Sequence, residues 1–147
     1  MVNLPAMKTQ MNLRIIAASF LILLTFGSCA KHTTPKKVDK HLTEGTWRIG
    51  QAKISGTNVT SNYNGAKFSF SKQGTIHVTG TITTQGSWSL GGEKNPVVLF
   101  MTYPQTATTL YGFSDDWLVM EMSKSECTMK RNDSATQEDI LVFRRID

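Results

Sequence analysis

Two cysteines and four prolines stand in 147 residues, and the acidic side chains number 11 against 16 basic. Scarce cysteine excludes a disulfide-built scaffold, and three histidines without a His-x-x-x-His or Cys-x-x-Cys spacing argue against a zinc site. No Gly-x-Ser-x-Gly elbow and no phosphate-binding Gly-rich loop is present, so neither an α/β-hydrolase nor a P-loop enzyme is expected. Basic residues do not alternate with aromatics in a stripe, which argues against nucleic acid. The chain has one uncharged apolar run of any length, "IIAASFLILLTF" at Ile15–Phe26. Its twelve residues fall short of the roughly 20 needed to cross a ~30 Å hydrocarbon core.

What is present around that run has a direction. Lys8 and Arg14 precede it, Gly27 and Ser28 follow, and then comes Cys29. A basic n-region, a short apolar h-region and small residues at a cut point make a secretory signal. Phe26-Gly27-Ser28-Cys29 also resembles the lipobox of bacterial lipoproteins, with Phe26 where that family usually carries Leu. The resemblance implies that residues 1–28 are removed, that the Cys29 thiol is diacylglycerated, and that the new amino terminus is acylated. Several acyl chains, at ~0.8 kcal/mol per buried CH₂, then give a stable membrane anchor.

Removing residues 1–28 from 147 leaves 119, a length for one domain. Lys8 and Arg14 leave with the signal, so the remainder holds 14 basic and 11 acidic residues. "KHTTPKKVDK" (Lys31–Lys40) carries much of that excess and, lacking periodicity, reads as a flexible tether over residues 29–43. Its lysines can rest against anionic headgroups, or simply be solvated. With Cys29 acylated, Cys127 has no partner in the chain, and its polar surroundings "SKSECTMKRNDSATQE" read as a loop. In that loop Asp133-Ser134-Ala135 resembles an O-glycosylation motif of some bacterial envelope proteins.

From Gly45 onward, apolar residues recur at every second position in short blocks separated by Gly, Asn, Ser and Asp, the pattern of half-buried strands. The blocks are "GTWRIGQAKI", "AKFSFS", "TIHVTG", "GSWSL", "PVVLFMTY", "TTLYGFS", "DWLVMEMS" and "DILVFRRI". Eight short strands with tight links predict an all-β domain over residues 44–147. An up-and-down antiparallel barrel is favoured over a two-sheet sandwich. Inward stripes of Phe68, Phe70, Ile76, Val78, Trp88, Leu99, Met101, Met120 and Met122 would line its interior. Such a barrel is either filled by side chains or holds one small ligand. Met and aromatic side chains adapt to an apolar ligand and to ordinary core filling alike. Alternation points His77 outward, Asp115 and Asp116 read as turn formers, and Tyr103, Tyr111, Phe113 and Trp117 are expected to leave aromatic area outside.

Gly45-Thr46-Trp47 resembles the G-x-W signature on the first strand of the lipocalin superfamily. The order of blocks is similar to the short lipocalin-like domains of bacterial lipoproteins, over nearly all of residues 42–147. The resemblance implies that Trp47 packs at a closed barrel end beneath an Arg of the last strand, either Arg144 or Arg145. A cation–π contact of that kind contributes about 0.5–2 kcal/mol. The expectation is a non-enzymatic, lipid-anchored envelope protein with no cofactor and no metal, on the periplasmic side of the outer membrane or exposed at the cell surface. Its barrel is expected to bind a small apolar or amphipathic molecule, with Phe68, Phe70, Trp88, Leu99, Met101, Met120 and Met122 as contacts. The alternative is a protein-interaction module with a filled core, an inhibitor or accessory subunit of an envelope complex.

Overall fold

The computed structural model describes residues 33–93, 96–131 and 138–147, all within one compact unit; Cys29 and the Asp133-Ser134-Ala135 motif lie outside them. The chain enters through a helix, α1 (Pro35–Thr43), where a tether was expected. Thr34 caps it: its Oγ1 accepts the Lys37 N–H at 3.3 Å, and Pro35 occupies the first turn, where a missing N–H costs nothing. Val38 and Leu42, four apart and on one face, are fully buried, and His41 lies beside them. A face of two aliphatic residues among lysines gives too faint a 3.6-residue pattern to stand out, yet it is enough to dock one short helix.

Nine strands follow: β1 (Thr46–Ile54), β2 (Thr57–Asn58), β3 (Lys67–Phe70), β4 (Thr75–Thr79), β5 (Thr84–Gly91), β6 (Val97–Thr102), β7 (Asp115–Met122), β8 (Glu126–Arg131) and β9 (Ile140–Arg145). All neighbours pair antiparallel in the order β2-β1-β3-β4-β5-β6-β7-β8-β9, and β9 returns to β1. Eight strands therefore close an up-and-down barrel, with β2 a two-residue flap on β1. Closure removes the exposed edges that an open sheet would present. A 3₁₀ turn (Thr60–Tyr63) links β2 to β3, and a one-turn helix, α2 (Thr108–Tyr111), lies between β6 and β7.

The number of strands closing the barrel agrees with expectation, but two assignments do not. "TTLYGFS" is helical over its first four residues: α2 buries Leu110, and Phe113 is buried just beyond it. "ECTMKR", whose polar surroundings suggest a loop, is β8, where Cys127 and Met129 point inward while Glu126, Thr128 and Lys130 are half-exposed. With two apolar residues in six, its alternation is drowned by polar neighbours.

Two register shifts decide which side chains face inward. In β1 the pairing with β9 slips between Ile49 and Gln51, so Trp47, Ile49 and Ala52 all face the core. In β7 the pairing with β8 slips between Val119 and Glu121. Trp117 and Val119 point in, the phase then flips, and Met122 points in while Met120 is 52% exposed.

Candidate functional site: a filled barrel with two sealed ends

The inward stripes of β3, β4, β5, β6, β8 and β9 meet in one continuous core. Phe68 and Phe143 lie at 5.2 Å edge to face, Phe70 and Phe143 at 5.6 Å, and Phe70 and Trp88 at 5.7 Å. These separations are those of packed aromatic pairs. Ile76, Val78, Leu99, Met101, Met122, Met129 and Leu141 are buried around them. Six of the seven expected lining residues thus sit inside, in contact with protein. Met120 is the correction: it follows the inward Val119 in ordinary alternation and so points outward, and the β7 bulge then brings Met122 inward.

One end is sealed by α1, which packs against β3, β5 and β7. Trp47 is fully buried there, and its indole N–H donates to the Leu42 carbonyl at 3.0 Å, fixing the last turn of the helix. Cross-strand register places Arg145 opposite Trp47, while Arg144 pairs with Arg48 and turns out to Glu126 at 3.0 Å. Arg145 does not act as a ring stack so much as a clasp. Its guanidinium donates to the carbonyls of Glu44 (2.6 Å) and Asp147 (2.8 Å). The Asp147 carboxylate in turn accepts the Thr46 N–H at 2.9 Å. Those hydrogen bonds, the Thr46 amide first, hold the Asp147 carboxyl below the usual range. A Cβ on Gly45 would lie 2.6 Å from Arg145 Nε, so glycine here makes room for the arginine.

The cation–π contact among the described residues is at the opposite end, where Arg131 lies 5.3 Å from the centre of the Trp117 ring. Arg131 also pairs with Asp115 (3.0 Å) and Asp139 (3.1 Å), and donates to the Gly112 carbonyl at 2.7 Å. Asp139 is buried and its second oxygen accepts the Ser55 N–H. Beneath this cluster Tyr63, Phe113 and Trp117 pack in sequence, the first pair tilted at 4.6 Å and the second edge to face at 6.4 Å. The expected outer aromatics are therefore mostly inside: Trp117, Tyr103 and Phe113 are buried, and Tyr111 stays out at 46%. Asp115 is not a turn residue but the start of β7 and an ion-pair partner. A bulge parity and a strand of mixed polarity hid this cluster; the signal within reach was the Arg131–Asp139 spacing across the long connection.

Few titratable groups are placed for chemistry. Burial, with help from Glu126, pushes the Cys127 thiol up to about 12, which makes it unreactive. Burial likewise raises Tyr103, whose hydroxyl has no partner among the described residues, and Tyr63. His77 is exposed on β4 as alternation predicts. Among the described residues, no three His, Cys, Asp or Glu side chains converge as metal ligands, and no helix is long and apolar enough to cross a membrane. On the outside, a groove of about 520 Å³ runs between α1 and the β3–β4 turn, lined by Pro35, Lys36, Asp39, Lys72 and Trp88.

These features define a class: a small closed antiparallel β-barrel, plugged by a helix at one end and by an ion-paired aromatic stack at the other. No protein-family model matches the chain, and no curated protein or solved structure is significantly similar to it.

Proposed function

We propose that the chain is a lipid-anchored envelope protein, moored through acylated Cys29, whose lipocalin-like barrel is a protein-interaction module and not a container. The observation that supports this reading over ligand storage is the occupied interior. Phe68, Phe70, Trp88 and Phe143 are in ring contact where a calyx would need space, and both ends carry buried aromatic residues. The anchor rests on the order of charge, apolar run, small residues and cysteine in the first 29 positions. A barrel of eight strands is just wide enough for side chains to fill it. What remains for recognition is the outer wall, on which Phe100 and Met120 stand exposed on the adjacent strands β6 and β7.

The test is photo-crosslinking in intact cells with a benzophenone amino acid placed at Phe100, Met120 or Tyr111 in turn. The reading predicts a defined protein adduct from at least one position. Absence of any adduct, together with a small apolar molecule that co-purifies in stoichiometric amount, would return the assignment to ligand binding.

A further inference from the structure

The helix-bearing end of the barrel gathers cations from three separate elements. Lys36, Lys37 and Lys40 stand on α1, Lys72 in the β3–β4 turn and Lys124 in the β7–β8 turn. Lys36, Lys40, Lys72 and Lys124 are exposed and Lys37 half-exposed. Among the described residues none of the five is in an ion pair. Val38 and Leu42 face the barrel, which turns the helix lysines away from it. Lys37, Lys40 and Lys124 all act on the single imidazole of His41, so cations from the helix and the β7–β8 turn share one neighbourhood. Of the arginines at the same end, Arg144 is paired with Glu126 and Arg145 with Asp147, while Arg48 is exposed and adds to the cations. Asp39, Glu44, Glu93 and Glu121 oppose the five lysines and Arg48 and leave a positive excess.

Chain length supplies a second constraint. Thr33 is buried, so the chain is held to the domain from that residue onward. Four peptide steps separate it from Cys29, a reach of about 14 Å when fully extended. That is little more than the ~10 Å Debye length at 0.1 M salt. A barrel tied this closely cannot lift this end far out of the field of a charged bilayer.

We infer that the α1 end of the barrel, through Lys36, Lys37, Lys40, Lys72 and Lys124, is a docking face for an anionic lipid surface. The inference rests on the anchored reading for its leash, but the surface can be tested without the anchor. Docked this way, the barrel stands with the Arg131–Trp117 end distal, and its walls remain open to a partner. The docking is electrostatic and interfacial: no side chain inserts, and the lysines sit against lipid phosphates.

The experiment is co-sedimentation of residues 30–147, which contain the whole closed core, with phosphatidylcholine vesicles with and without phosphatidylglycerol. Binding is expected only to the phosphatidylglycerol vesicles, and is expected to fall steeply with added salt. Loss of a surface lysine weakens binding about fivefold, so Lys36→Glu with Lys37→Glu and Lys40→Glu should weaken it more than a hundredfold. Lys53→Glu with Lys130→Glu, at the distal end where both lie opposite Ile140, should leave it unchanged. Equal binding by the two triple- and double-substituted forms, or no binding by the unsubstituted domain, overturns the inference. Because this domain carries no acyl chain, either result is independent of whether Cys29 is lipidated, which the mass of the mature chain decides separately.

Discussion

Trp47 shows how one residue serves two purposes at the sealed end. Its ring is wholly buried, and its only polar atom finds the Leu42 carbonyl at 3.0 Å, so no donor is left unmade. The indole thereby holds a helix that has little apolar surface of its own. The methionines of β7 give a sharper residue-scale test. Met122 is buried and Met120 exposed, although they are two apart on one strand. Met122→Ala should cost about 2–5 kcal/mol of unfolding free energy in denaturant titration, as a cavity in a packed core does. Met120→Ala should change it by less than about 0.5 kcal/mol. Equal effects would mean that the bulge between Val119 and Glu121 is misplaced. Cys127 belongs to the same logic: a thiol pushed up to about 12 by burial should resist alkylation until the barrel unfolds.

At the scale of elements, α1 ties stability to pH. Burial lowers the His41 pKa below its ordinary 6.5, Lys37, Lys40 and Lys124 add to this, and Glu44 partly opposes it. A lowered folded-state value means that the unfolded chain binds the proton more readily, so stability rises with pH in this window. The contribution is complete above about 6.5 and is lost as pH falls through the lower folded value. Thermal melts should therefore show a fall in midpoint on acidification through that range, and His41→Gln should flatten it. The same helix marks where sequence reading stopped. Alternation made most of the barrel legible, because Phe68/Phe70, Ile76/Val78 and Leu99/Met101 each repeat the period of a pleated strand. It failed where the apolar count was too low to form a pattern, as in α1 with Val38 and Leu42 and in β8 with Cys127 and Met129. It failed again where a bulge reversed the phase in β7. The Thr34–Pro35 cap was the readable sign of α1, and it was overshadowed by the lysines around it.

On the scale of the whole molecule, closure by β1 against β9 turns a meander into a barrel, and the two ends are then sealed by different means. The α1 end uses a hydrophobic helix face and backbone clasps by Arg145. The other end uses Arg131, which joins the start of β7 through Asp115, the entry to β9 through Asp139, and the Trp117 ring. Arg131→Met would leave the buried Asp139 carboxylate without its cation, and should destabilise the barrel by about 3 kcal/mol in denaturant titration. Exchange of backbone amides should rise first around the β8–β9 ends. The larger claim is that the interior is occupied by the protein's own rings, so that the molecule acts through its outside while tied to a bilayer. Native mass spectrometry of the chain extracted from membranes tests that claim most directly. The account predicts a chain that begins at an acylated Cys29 and retains no small molecule; a species with an intact leader, or with a small apolar molecule retained in the barrel, contradicts it.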